Sequence, residues 1–332
     1  MTIVPNKILV IQTAFIGDVI LATSLLEKLH EHLPNAKIDF LIRKGNESLV
    51  KNHPYLNQVI IWSKEDGKYR DLYRLLKQIR QSKYDAVINT QRFGATGMLT
   101  AMSGATIKSG FKKNPFSFGF THAFDHEIGN GTHEVERNQK LIEPLTDALV
   151  SKPKLYPSTT DFEKVKEFTQ LPFITISPAS VWFTKQFPIS KWIAFIDQIP
   201  TSYNVFLLGG PSDQQENNLL IDQCKTNVPE NLAGKLSLLQ SAALMSKSVM
   251  NYVNDSGPLH LCSAMNAPVT AVFCSTTPDF GFTPLSDVKY IIETTEKLAC
   301  KPCGLHGLKA CPKAHFNCAN TISTSQLLST IS

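Results

Sequence analysis

The chain has 332 residues, 42% of them apolar and 18% charged, with a net charge of +5. That length exceeds one typical core and fits two domains, and the composition excludes disordered and fibrous classes. The charge is too mild for a dedicated nucleic-acid binder, so no nucleic acid is expected as a partner; it suits anionic substrates or an anionic membrane surface.

The chain opens MTIVPNKILVIQTAFIGD. No basic segment precedes a long apolar core, and Gly17-Asp18 interrupts the apolar run, so no signal peptide is expected. No apolar run approaches the ~20 residues that span a bilayer. A cytoplasmic protein is expected, touching a membrane only peripherally.

In the first half, KILVIQ, KIDFLI, NQVIIW and YDAVINT read as strands. Between the first two, Ala22, Leu25, Leu26, Leu29 and Leu33 recur at helical spacing. YRDLYRLLKQIRQS reads as a helix before the fourth strand. Such alternation predicts a parallel sheet covered on both faces. The Pro-, Ser- and Lys-rich stretch SKPKLYPSTTDFEKVKEF then reads as a linker, taken as 156–169. It separates an amino-terminal domain over 1–155 from a carboxy-terminal one over 170–332. The second half restarts the alternation: PFITISP, a helix near Trp192, NVFLLGG, a helix around Leu219, SVMNYVND, a helix from Leu259, and PVTAVFC. The expected architecture is α/β, two doubly wound Rossmann-like domains facing a cleft. In such sheets ligands sit at the carboxyl ends of strands.

Four strand-end loops carry candidate chemistry. Gly17-Asp18 follows the first strand; Asp is a preferred helix N-cap, and that motif alone favours a cap over a base. SPASVWFTKQFP, Ser177 to Pro188, offers Ser180, Thr184 and Lys185, whose compact charge suits a phosphate. LLGGPSD ends on Asp213, a capping residue or a ribose acceptor. NYVNDSGPLHLCSAM is the most informative: a strand runs into Asp255, Ser256 and Gly257, then into a helix carrying His260. Gly257 permits an unusual backbone angle there, and the free amides of the helix start suit an anion. Asp255 beside a phosphate needs another role, either binding sugar hydroxyls or bracing the loop. GATG at Gly94 to Gly97 lacks the context of a dinucleotide fingerprint, which weakens a nicotinamide oxidoreductase reading.

Taken together, GDVILATSLLEKL, HEVERN (His133 to Asn138), SPAS…TKQFP, GGPSD, LAGKLSLLQSAALM and NDSGPLHLCSAMNAPVTAVF resemble the glycosyltransferase family that contains the ADP-heptose-using lipopolysaccharide heptosyltransferases. The resemblance spans nearly the whole chain. It implies a two-domain, GT-B type, inverting transferase that usually works without a catalytic metal. The acceptor would lie on the amino-terminal domain and the nucleotide-sugar on the carboxy-terminal one. By position it assigns the catalytic base to Asp18 and the phosphate-binding cation to Lys185. Its donor contacts fall on Asp213, Asp255, Ser256, Gly257 and His260, and Ser180 and Thr184 join them as neighbours of Lys185 in its loop. Val181, Trp182 and Phe183 depart from the more polar residues of better-known members, which bears on the donor sugar.

For the acceptor, a glycolipid or lipopolysaccharide core, the strand-end cations are Arg43, Lys44, Arg92, Lys112 and Lys113. Each is also readable as an ordinary solvated charge. Cys300, Cys303, Cys311, His315 and Cys318 crowd into one tail segment over 300–318. They admit three readings: a structural zinc, packed reduced thiols, or one disulfide. The segment is expected to lie outside the chemical loops. A non-catalytic sugar-nucleotide or glycolipid-binding protein is the alternative to the enzyme.

Overall fold

The computed structural model describes residues 4–63 and 67–331. They divide into two compact units, 1–128 with 132–156, and 129–131 with 157–332.

The amino-terminal unit runs β1 (Lys7–Gln12), α1 (Ile16–His32), β2 (Lys37–Arg43), α2 (Glu47–Val50), β3 (Leu56–Trp62), α3 (Lys68–Ser82), β4 (Ala86–Asn89), α4 (Gly94–Ala101), β5 (Ile107–Phe111), β6 (His122–Phe124) and α5 (Glu134–Lys140). The strands lie in the order β3-β2-β1-β4-β5-β6, and every pairing is parallel. β1 is an almost unbroken apolar run because helices cover both sheet faces, so neither side of the strand is wet. On one face Leu9, Ile11, Leu41, Val87, Leu72, Leu75 and Ile79 form a closed core. Gly97 of α4 is there for packing: a β-carbon at this position would sit 1.8 Å from Asn114 Oδ1. The GATG stretch thus belongs to a helix–loop contact.

The carboxy-terminal unit runs α6 (Thr159–Val165), β7 (Phe173–Ser177), α7 (Ile189–Ile196), β8 (Asn204–Leu207), α8 (Gln214–Ile221), β9 (Glu230–Asn231), α9 (Leu238–Met245), β10 (Met250–Asn254), α10 (Gly257–Met265), β11 (Val269–Phe273), β12 (Lys289–Glu293), α11 (Asn317–Asn320) and α12 (Thr324–Leu328). Its sheet, order β12-β11-β10-β7-β8-β9, is again wholly parallel and, read from β9, repeats the winding of the first. Trp192, Phe195, Tyr252, Ile174 and Ile176 fill its core. The Tyr252 hydroxyl reaches Leu327 O at 3.2 Å and Thr330 Oγ1 at 3.1 Å, latching the final helix to the sheet.

The expected linker over 156–169 is corrected by this arrangement. Ser158 caps α6 in a reciprocal box, its hydroxyl accepting from Asp161 N at 3.2 Å while Ser158 N donates to Asp161 Oδ2 at 2.8 Å. Such a cap is worth about 1 kcal/mol. Val165 is buried and α6 packs on α9, so the polar stretch is a docked helix of the second unit.

Candidate active site

In sheets wound 3-2-1-4-5-6 the order reverses between the first and fourth strands, and ligands bind at the carboxyl ends there. That switch point lies between β1 and β4 in one unit and between β7 and β10 in the other. The loop after β1 leads into α1, whose first turn carries Asp18, and the loop after β4 carries Arg92. Those after β7 and β10 carry Lys185 and Asp255.

Asp18 is not the N-cap that its motif suggested. Phe15 occupies that position without a side-chain bond, and Asp18 is the third residue of α1. Gly17 accordingly lies in the first helical turn, relieving no turn before it. The amides of Asp18 and Phe15 stabilise the carboxylate, as does the Arg92 charge. Burial and then the charge of Glu134 outweigh them and lift the Asp18 pKa from 3.8 to about 6. The residue is nonetheless partly exposed and therefore reachable. A carboxylate tuned upward in a residue that is not fully buried is suited to take a proton.

Glu134, which residue-by-residue reading did not single out, is buried at the start of α5. Arg137 Nε lies 2.8 Å and His126 Nε2 3.4 Å from its Oε2. Burial pushes its pKa up, but His126 and Arg137 prevail and hold it below the usual value, so it stays ionised. Its only sequence signal was membership of HEVERN. Two exposed aromatics flank the same strand ends: Phe15 is 71% exposed and Phe93, the N-cap of α4, 65%.

The acceptor cations behave differently from one another. Arg92 acts electrostatically on Asp18. Lys112 pairs with Asp125 at 2.7 Å, both of them exposed. Arg43, Lys44 and Lys113 are exposed near strand ends.

In the carboxy-terminal unit Lys185 Nζ sits 2.8 Å from Asp255 Oδ2, with both side chains largely buried. Thr276 Oγ1 donates to the same oxygen at 2.7 Å. Asp255 thus braces the loop and holds the ammonium in place. Asn254 ties the two loops together, accepting from Phe187 N at 3.0 Å and donating to Pro178 O at 2.7 Å. Ser180 lends its carbonyl to Gln186 Nε2 at 2.7 Å. Ser256 is the N-cap of α10, Pro258 falls in its first turn and His260 is buried behind it, its ring edge-on to Phe282. Gly257 begins the helix without a left-handed angle, so the freedom glycine permits is not used there. Asp213 closes its own turn, accepting from Gly210 N at 2.7 Å and from the Ser212 hydroxyl at 3.2 Å. As placed, it is a turn residue first.

The cysteine tail does not lie apart from this site. Thr184 N donates to Leu308 O at 3.1 Å, and Leu308 N returns a bond to Thr184 Oγ1 at 2.8 Å. Ser275 Oγ also donates to Thr184 Oγ1, while Cys303 N donates to Ser275 O. A β-carbon on Gly307 would stand 2.8 Å from Lys185 Cγ. The tail is thus a strap laid on the lysine loop. Its thiols are free cysteines, and Cys300 Sγ lies 3.7 Å from His315 Nε2. Burial, then neighbouring Cys303, raises the Cys318 thiol to about 11, keeping it protonated. Among the described residues no three His, Cys, Asp or Glu side chains are grouped closely enough to hold an ion.

The sequence profile of glycosyltransferase family 9 (heptosyltransferase) matches residues 72–307. The chain belongs to glycosyltransferase family 9. It is therefore a glycosyltransferase, and the non-catalytic alternative is not favoured. Lipopolysaccharide heptosyltransferase 3 of Escherichia coli (strain K12) is 28% identical over 277 residues, covering 78% of this chain and 80% of that one. In fold, the family 9 glycosyl transferase from Veillonella parvula DSM 2008 superposes with a TM-score of 0.82 at 22% identity, covering 99% of this chain and 97% of that one. The E. coli heptosyltransferase WaaC, solved with ADP, gives 0.73 at 18% identity and 98% coverage of both chains. These likenesses support two GT-B-type α/β units.

Proposed function

We propose that this family 9 enzyme transfers a heptose or closely related sugar, with inversion, from ADP-heptose to a lipopolysaccharide core or related surface glycan. The observation that carries the reading is the Lys185–Asp255 pair beside the start of α10, at the switch point of the carboxy-terminal sheet. An ammonium next to free helix-start amides is chemistry for a diphosphate. The heptosyltransferase relatives and the ADP-bound fold neighbour support the choice of donor.

In this reading the acceptor hydroxyl attacks the anomeric carbon opposite the leaving nucleoside diphosphate. Asp18 accepts the hydroxyl proton as the new bond forms. Lys185 and the amides of Ser256 and Gly257 meet the charge that develops on the leaving group. Asp255 fixes the ammonium, and a diphosphate shares it. Arg92 serves the acceptor, and its charge tempers the pKa of Asp18. Peripheral contact with an anionic membrane surface brings the enzyme to a lipid-linked acceptor. Among the described residues no helix is long and apolar enough to cross a membrane.

Thermal-shift screening against ADP-, UDP- and GDP-sugars tests the donor. A ligand at a hundredfold excess over its dissociation constant stabilises by about 2.7 kcal/mol. Stabilisation by ADP-heptose alone is expected; stabilisation by a UDP- or GDP-sugar with none from ADP-heptose would contradict it.

A further inference from the structure

Helix α3 has two sides of opposite character. Leu72, Leu75 and Ile79 are buried in the core of the amino-terminal unit, with Leu76 packed against it. The other side presents Tyr69, Arg70, Tyr73, Arg74, Lys77, Arg80 and Gln81, all exposed. Those positions recur at one-, three- and four-residue steps, so they share one face of a helix of 3.6 residues per turn. Tyr69 is 80% and Tyr73 70% exposed. The acid of the helix, Asp71, is buried, where it accepts from Ser63 Oγ at 3.0 Å and braces Arg74 at 3.3 Å. Among the described residues of this face, four cations and two tyrosines are exposed with no carboxylate beside them, in a chain whose whole net charge is +5.

A solvated helix face needed only for solubility mixes both signs of charge. This one, over its described residues, carries a single sign and leaves two large amphipathic rings mostly exposed. The apolar side of α3 is already used by the core, so it cannot sink into a bilayer as a free amphipathic helix does. What remains fits the headgroup layer: cations for lipid phosphates, and tyrosines, which collect where one end of a ring is apolar and the other wet.

We infer that this face of α3 docks the enzyme on an anionic phospholipid surface. The inference deepens the proposed reading by naming where the enzyme meets the membrane that bears its acceptor. The contact is electrostatic, so it acts only within a Debye length, about 10 Å at 0.1 M salt and about 3 Å at 1 M. It differs from an anchor built on Arg43, Lys44, Lys112 and Lys113.

The test uses the full chain and needs neither donor nor acceptor, so its failure is separable from failure of the transferase reading. Co-sedimentation is measured with vesicles of phosphatidylcholine alone and of phosphatidylcholine mixed with phosphatidylglycerol. Binding to the mixed vesicles only, abolished by high salt, is expected. The Arg70→Gln/Lys77→Gln/Arg80→Gln variant, which keeps helix-forming residues and the Arg74–Asp71 pair, should lose at least about tenfold in partitioning with an unchanged melting temperature. Tyr69→Ser/Tyr73→Ser should weaken vesicle binding while leaving heparin binding unaffected. Equal binding to both vesicle types, no binding to either, or wild-type binding by the triple variant would overturn the assignment. So would tyrosine variants that bind vesicles normally, since the face would then be a general polyanion or acidic-protein site.

Discussion

Asp18 illustrates how one side chain can satisfy two demands. At the third position of α1 it meets helix-start amides, which favour its charge and so weaken it as a base. Burial and Glu134 push the other way and win, leaving the pKa at about 6. The pH profile should report this balance. In its proposed role the ionised form of Asp18 is the base, so kcat/KM should fall as pH drops through about 6. Glu134→Gln keeps an oxygen for Arg137 and His126 but removes the negative charge that raises the Asp18 pKa. The acidic limb should then move to lower pH; an unmoved limb would detach Glu134 from Asp18. The sequence made Asp18 conspicuous, since an acid directly after a strand is legible in one dimension. Glu134 was not, because the two meet only through a fold that brings α5 back to α1.

At the scale of elements, the lysine loop is held from three sides: by Asp255 at the end of β10, by Ser275 after β11, and by the tail strap through Leu308. Gly307 is the narrowest part of that strap. Its φ of +78° is already unfavourable for other residues, and an added β-carbon would press on the Lys185 stem at 2.8 Å. Gly307→Ala should cost on the order of 1 kcal/mol in strain and shift the ammonium. ADP affinity by calorimetry should fall about tenfold, equivalent to about 1.4 kcal/mol. Unchanged affinity would show that the strap does not set the lysine. Of these elements, long apolar strands such as β1 and β7 were readable. β5 (IKSGF), the three-residue β6 and the two-residue β9 were not, being short or polar and made strands by their neighbours. The spacing of the tail cysteines suggested metal chemistry. What the fold does with that segment is to press its glycine and backbone onto Thr184 and Lys185, and no spacing encodes that.

At the scale of the whole chain, two units of about equal size share one winding, and Asp18 with Arg92 in one and Lys185 with Asp255 in the other follow the strands of that unit's switch point. The alternation of apolar runs with helical periods makes this architecture legible in the sequence. The exception was the boundary: Pro, Ser and Lys over 156–169 looked like a linker, yet a capping box and a docked apolar side make a helix of it. Division of labour between the units makes a sharp prediction, because donor binding and proton removal are assigned to residues of different units. Single-turnover transfer from ADP-heptose by Asp18→Asn, measured beside ADP affinity for the same protein, tests it most directly. The account predicts turnover lowered at least about 100-fold with ADP affinity unchanged; near-normal turnover in that variant would contradict it.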